Sequence, residues 1–315
     1  RLLIINRHVL ETMNGGFSSL KSVVNKIIHW FNRNTYKGSL RNIAAHYDIG
    51  NDLFELMLDP GMMYSSAIYS NEHTTLEQAA KYKLDHICQK LQLNESDHLL
   101  EIGTGWGTMA IHAAKYYGCD VTTTTISREQ FLYTQSRIKE EHLENKVTLL
   151  FEDYRNLSGT YDKLVSIEMI EAVGLNNLGL YFNQCSRLVK AGGLICIQAI
   201  TIADERYEQA KKQVDFIQKY IFPGGSLPSL NVLTNTIKNK TEMHINDIED
   251  IGLHYARTLR DWRERFFQNE SRIRRLGYNN TFIRLWEYYL CYCEGGFRQR
   301  SISTVQLTLT KPGFS

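Results

Sequence analysis

The chain has 315 residues, 43% of them hydrophobic, enough to bury a large core as one elaborated domain or two small ones. A formal net charge of +2 excludes nucleic-acid binding by the molecule as a whole, so any basic function has to be local. Six cysteines form no CxxC or His/Cys ligand spacing, so neither a disulfide framework nor a metal centre is expected, and a reducing, cytoplasmic setting follows.

No apolar run reaches the roughly 18 residues of a spanning helix, and no signal peptide is visible. The sequence opens at Arg1 rather than Met, which leaves room for residues upstream. In "SSLKSVVNKIIHWFNRNTYKGSLR" the apolar residues Leu20, Val23, Val24, Ile27, Ile28 and Phe31 recur at helical spacing, flanked by Lys21, Lys26, Arg33 and Lys37. Such a helix suits a membrane surface or packing against the rest of the chain. A second basic and aromatic region runs from Arg257 to Arg300; a solvated helical face is its default reading.

From residue 97 the pattern alternates. "DHLLEIG" reads as a strand, a helix follows over Trp106 to Tyr117, and "CDVTTTTI" is the next strand. "SREQFLYTQSRIKEEH" is a helix opened by a Ser127–Gln130 capping box. Strands follow at "KVTLLFED", "YDKLVSIEM" and "GGLICIQAITI"; long helices from Asp261 to Phe297 precede a last strand, "STVQLTLT". Such βαβ alternation predicts an α/β doubly wound, mostly parallel sheet with ligands at the carboxyl ends of its strands.

The turn "LLEIGTGWGTMA" bears on the ligand. A dinucleotide fingerprint needs GxGxxG, but the third position is Thr108, giving GxGxG. No acid ends the second strand to grip a nicotinamide ribose, and no GxxxxGK[ST] is present. An acid-ended strand before GxGxG resembles the first motif of S-adenosylmethionine-dependent methyltransferases.

Around it stand "AAHYDIGNDLFELMLDPGMMYSSAIY", "TISREQ", "EDYRNL", "SIEMIEAVG", "YIFPGGSLPS", "HYARTLRDW" and "EYYLCYCEGGFRQR". In this order and spacing the chain, from about Asn42 to its end, resembles the cyclopropane-fatty-acyl-phospholipid synthase family. The resemblance implies a seven-stranded Rossmann-like methyltransferase sheet. It divides the chain into a helical N-terminal segment or lid, 1–60, and a methyltransferase domain with lipid-site helices, 61–315. The implied reaction is methylene transfer from S-adenosylmethionine to the cis double bond of a phospholipid acyl chain. The enzyme would then sit at the inner face of the membrane as a peripheral protein, with no nucleic acid as partner and a homodimer left open.

Residue by residue, the resemblance places Gly103, Thr104, Gly105, Trp106 and Gly107 under the methionine part of the cofactor, with Glu101 at its ammonium or fixing the loop. Thr125 and Gln130 stand for the ribose acid, Asp153 and Tyr154 for adenine contacts, and Tyr64 and Ser65 for contacts from the N-terminal side. Tyr47 is expected to face the acyl chain or the cation.

Alkylating an isolated alkene leaves a carbocation, so the pocket must be dry and electron-rich, and a base must take a proton from the new methyl. Glu171 and Tyr255 match the family's contacts to a bicarbonate regarded as that base. Ser66 and Gln198 stand where better-studied members carry Cys and His, so the base is bicarbonate or Glu171 itself. Glu168 lies three residues before Glu171 and shares its face if the turn is helical, each then raising the other's pKa; a surface acid is the alternative. Cys293 matches a cysteine often assigned as active, though the mechanism gives it no task, and His254 is read as structural. A changed proton destination would give a methyl- or methylene-branched chain instead of a ring. A lipid-binding module without catalysis and a small-molecule methyltransferase are the readings from other classes.

Overall fold

A computed structural model describes residues 50–313. The amphipathic segment 20–41 and Tyr47 lie outside the described residues.

The first described helix, α1 (Asn51–Met57), is followed by α2 (Leu76–Lys90), whose Thr75 and Gln78 form a reciprocal capping box. Then come β1 (His98–Ile102), α3 (Thr108–His112), β2 (Asp120–Thr125), α4 (Arg128–Glu140), β3 (Val147–Phe151), β4 (Tyr161–Ile167) and α5 (Leu178–Leu188). Strand β5 (Val189–Ile202) leads into two short helices, α6 (Asp204–Ala210) and α7 (Phe216–Tyr220), and then α8 (Leu230–Lys240). Strand β6 (His244–Asp250), helices α9 (Gly252–Gln268), α10 (Glu270–Arg275) and α11 (Asn280–Arg298), and strand β7 (Ile302–Thr310) complete the chain.

The seven strands form one sheet in the order β3-β2-β1-β4-β5-β7-β6. All neighbours are parallel up to β5, and β7 runs antiparallel to both β5 and β6. The chain steps outward from β1 to β3 and then returns to β4, so the switch point lies between β1 and β4. Ligands of such sheets bind beyond the carboxyl ends of these two strands.

Apolar side chains fill both faces of the sheet. Tyr181, Phe182 and Leu188 of α5 pack one face, and Met109, Ala110 and Ile87 pack the other. A third cluster is rich in large aromatics: Phe54, Trp262, Phe266, Trp286 and Phe297 join α1, α9 and α11, all nearly inaccessible. The Arg265 side chain donates to Met57 O (3.0 Å) and Asn269 donates to Leu56 O (3.0 Å). These satisfy carbonyls that the end of α1 would otherwise leave open.

Several expectations change in detail. The helix expected over Trp106 to Tyr117 begins only at Thr108, and its last turn, Ala113–Tyr117, is a π-helix. The capping box at α4 is half made. Ser127 accepts from Gln130 N (3.3 Å), but the Gln130 side chain turns back to Thr125, whose hydroxyl it accepts (3.0 Å). The helical run near the C-terminus opens at Gly252 rather than Asp261. Strand β6, "HINDIED", was not expected, because it is an exposed edge strand with no buried face to impose apolar alternation.

Candidate active site

The loop after β1 turns on three glycines with positive φ: Gly103 (101°), Gly105 (53°) and Gly107 (86°). They serve different ends. A Cβ on Gly107 would lie 2.6 Å from Thr134 Cγ2, and one on Gly103 would lie 3.2 Å from Met169 Cγ. A Cβ on Gly105 meets nothing within 4 Å, so Gly105 faces open space. The loop is pinned by Gly103 N and Thr104 N, which both donate to Thr124 O (3.1 and 3.0 Å).

That space belongs to a cavity of about 440 Å³ at the switch point. Every residue assigned to the cofactor from the sequence lines it except Gly107, which packs behind the loop. Glu101 is 2% exposed and accepts from the Thr123 hydroxyl at 2.6 Å. Burial pushes its carboxyl up to about 8, against the lowering pull of Thr123 and Lys83. A bound ligand cation would favour the charged form of this carboxyl, which burial alone keeps protonated. Thr125 and Gln130, hydrogen-bonded to each other, offer neutral polar groups to a ribose. Asp153 accepts Arg155 Nε at 2.8 Å and Nη2 at 2.6 Å, so it would share its oxygens between the guanidinium and an adenine amino group. Tyr64 hydrogen-bonds Tyr289 hydroxyl to hydroxyl (2.9 Å), and Ser65 Oγ accepts from Lys83 Nζ (3.0 Å). These groups fit S-adenosylmethionine: an acid for the ammonium, open backbone beside Gly105, and polar and aromatic groups for the nucleoside. Gly105→Val should abolish its binding in titration calorimetry while the fold is largely kept, and NAD should not bind the parent protein.

Just past β4 two carboxyls enter the same cavity. Glu168 sits at φ 51°, its N–H donating to Gln198 O at 2.8 Å. Its Oε1 accepts from Ser66 N (2.9 Å) and Gln198 Nε2 (2.7 Å), and its Oε2 accepts from the Tyr255 hydroxyl (2.8 Å). Glu171 lies in the 3-10 turn Ile170–Ala172. Its Oε1 accepts from Ile200 N (2.5 Å), and its buried Oε2 has no partner among the described residues. Burial first, then the charge of Glu168, push the Glu171 carboxyl up to about 8. Glu168 is also raised by burial, but its three donors and Lys83 oppose the rise.

Tyr255 and Cys293 line the cavity; Ser66 and Gln198 do not. Both of the latter are fully inaccessible behind Glu168, and Ser66 Oγ donates to Ala67 O (3.1 Å). Bicarbonate fits this arrangement poorly. The Ser66 amide, the Gln198 amide and the Tyr255 hydroxyl are already bonded to Glu168, and a second carboxyl stands beside it. Burial pushes the Cys293 thiol far above its ordinary range, so it is a neutral wall group. His254 accepts from Tyr69 N through Nδ1 (3.2 Å), outside the cavity lining.

Part of the remaining wall is aromatic, with Phe222, Tyr289, Tyr292 and Phe297 beside Tyr255, whose ring stacks on Phe297 at 4.5 Å. Segments from α6 to Leu227 cover it, held by Gln218 Nε2 donating to Gly225 O (2.9 Å). Sequence reasoning missed Lys83, which is fully buried and attracted to Glu168, Asp59 and Glu101. Its signal was present: Lys83 falls at helical spacing with Leu76, Ala79, Ala80, Leu84 and Ile87, on the buried face of α2.

The model of the mycolic acid cyclopropane synthetase family matches residues 34–307. The tuberculostearic acid methyltransferase of Mycobacterium tuberculosis is 40% identical over 280 residues, covering 87% of this chain and 65% of that protein. The cyclopropane-fatty-acyl-phospholipid synthase of Escherichia coli is 40% identical over 269 residues, covering 84% of this chain and 66% of that protein. The chain thus spans about two thirds of the length of these relatives. Among solved structures, a mycolic acid cyclopropane synthase complexed with SAH and CTAB superposes with TM-score 0.81 at 28% identity, over 86% of this chain and 98% of that one. Fold, cavity and sequence agree: the chain belongs to the mycolic acid cyclopropane synthetase family of S-adenosylmethionine-dependent methyltransferases.

Proposed function

We propose that this protein transfers a one-carbon unit from S-adenosylmethionine to the cis double bond of an unsaturated acyl chain in a membrane phospholipid, closing a cyclopropane ring. The observation that carries this reading is one cavity that joins the glycine loop, aromatic walls and a carboxyl pair. When bound, the cofactor supplies an electrophilic methyl carbon on a cationic sulfur.

The chain's own groups supply the rest. Glu101 and the loop around Gly105 orient the donor, a positioning task. Tyr255, Tyr289 and Phe297 present ring faces to a cationic acyl chain and exclude water from it. The proton acceptor belongs to the carboxyl pair after β4.

Identity to a tuberculostearic acid methyltransferase supports a second product, a methylene branch on the same substrate. A saturated methyl branch would need two further electrons from a separate reductant. Among the described residues no helix is long and apolar enough to cross a membrane. The acyl chain is reached from the membrane surface, where the exposed Tyr220 and Tyr288 are suited to lie.

Incubation with methyl-labelled cofactor and vesicles of defined unsaturated phospholipid tests the reading. Label should enter the acyl chain as one added CH2, and proton NMR of the lipid separates ring from methylene. A protein that binds the cofactor yet leaves every lipid unlabelled would refute it.

A further inference from the structure

We propose that Glu168 is the base of this reaction, a carboxylate built into the chain at the place where a dissolved anion would otherwise have to bind. The assignment rests on the lipid-methylating reading above.

Three observations carry it. First, the donors around Glu168 form an anion pocket that is already filled. A backbone amide (Ser66, 2.9 Å), a side-chain amide (Gln198, 2.7 Å) and a phenol (Tyr255, 2.8 Å) converge on its two oxygens. Ser66 and Gln198 are shut off from the cavity by the side chain they hold, while Glu168 lines it. A carboxylate offers about four lone-pair sites, so three bonds leave one to receive a proton. Among the described residues the Glu171 carboxyl is held on Oε1 by the Ile200 amide and its Oε2 has no partner, which makes it the less firmly held of the two.

Second, the backbone at Glu168 lies at φ 51°. Glycine would occupy that conformation freely, whereas a residue with a Cβ is strained there. The strain is held by the Glu168 N–H bond to Gln198 O (2.8 Å), so one residue anchors both backbone and carboxylate. Third, Lys83 stands buried behind Ser65 as a compensating cation, attracted to Glu168 as well as to Asp59 and Glu101. An external anion would have to enter beside two carboxyls with its donors already engaged.

The step balances without any further reactant. The alkene π pair forms a C–C bond to the sulfonium methyl, the C–S bond breaks, and its pair stays on sulfur. The other alkene carbon is left cationic. A Glu168 oxygen takes one proton from the new methyl, and the C–H pair closes the ring onto the cationic carbon. If a hydride first shifts between the two former alkene carbons, the same proton loss gives the methylene branch. The acid formed on Glu168 returns its proton to water when products leave.

The test uses the full chain, S-adenosylmethionine and unsaturated phospholipid vesicles in buffer stripped of carbon dioxide. Parent turnover should be unchanged by depleting bicarbonate or adding it back. Glu168→Gln should lower turnover roughly 100- to 10,000-fold, with no rescue by bicarbonate and with cofactor affinity in calorimetry kept within a few-fold. Glu168→Gly empties the pocket and relieves the backbone, so added bicarbonate or formate should raise its low turnover saturably. Circular dichroism and cofactor binding establish that each variant is folded. Parent turnover that falls on bicarbonate depletion and recovers on its return would overturn the assignment, as would near-normal turnover of folded Glu168→Gln. A parent protein that binds cofactor but never labels lipid fails the underlying reading before any variant is compared.

Discussion

Glu171→Gln is expected to lower turnover roughly 100- to 1,000-fold, the usual loss when one preorganised electrostatic group is removed from a dry site. The substitution keeps the shape and the Ile200 N–H bond but leaves a group that cannot ionise. In the parent, Glu171 lines the cavity and its buried Oε2 has no hydrogen-bond partner among the described residues, so under the proposed reaction its charge is left to act on a cationic acyl chain. Burial and Glu168 raise this carboxyl to about 8, so in the ligand-free protein it carries a proton at neutral pH. Turnover should therefore climb with pH towards about 8 and then level, as the charged form becomes the resident one. In Glu171→Gln the part of that limb due to Glu171 should vanish, leaving only the titration of Glu168, which burial also raises, and cofactor affinity should fall far less than turnover. A variant with near-parent turnover and an unaltered pH profile would remove Glu171 from the reaction.

Glu101→Gln should stabilise the ligand-free protein at pH 8 and weaken cofactor binding. The unfolded chain releases this proton near 4.5, while the folded chain keeps it to about 8. Between those values the unfolded state binds fewer protons, so the contribution of Glu101 to stability is lost as pH rises. At about 1.4 kcal/mol per pH unit the full shift corresponds to an upper bound of roughly 5 kcal/mol. Glutamine has no such titration. The stability difference between variant and parent should be small at pH 4.5 and grow steadily to pH 8. The difference is the quantity to measure, by denaturant titration at several pH values. His112 and His254, held below their ordinary range by burial, push absolute stability the other way up to about 6.5. Loss of a charged hydrogen bond to the cofactor ammonium should weaken its binding about 10- to 100-fold. A flat stability difference across this pH range would show that Glu101 does not titrate as its burial implies.

Much of the cofactor side was legible because its chemistry is written in consecutive residues. Gly103 and Gly107 take positive φ where a Cβ would crowd a neighbour, Gly105 leaves the backbone bare beside the cavity, and β1 carries an acid just before them. Thr125 and Gln130 are five positions apart, within one strand–helix turn. The proton-accepting side was not legible in the same way. Glu168 is held by residues 30, 87 and 102 positions distant, and one of its donors is a backbone amide, which leaves no mark on residue choice. The positive φ that aims its side chain is equally silent in a sequence where glutamate stands at that position. The sheet was read through its buried strands, whereas β6 is polar because one of its edges and most of its side chains meet solvent.

That polar edge also governs how copies of the chain meet. An uncovered strand edge offers unpaired amides and carbonyls to any other strand, the usual route to sheet extension and aggregation. Here the register breaks between Ile245 and Asp247, so the strand does not present a straight ladder. Asp247, Glu249 and Asp250 crowd its second half; Lys90 and His86 engage the first two, and Arg300 engages the third. Two such edges aligned against each other would face acid with acid across a kink. Among the described residues, the last strand thus ends the sheet with an edge ill suited to extension by a second copy.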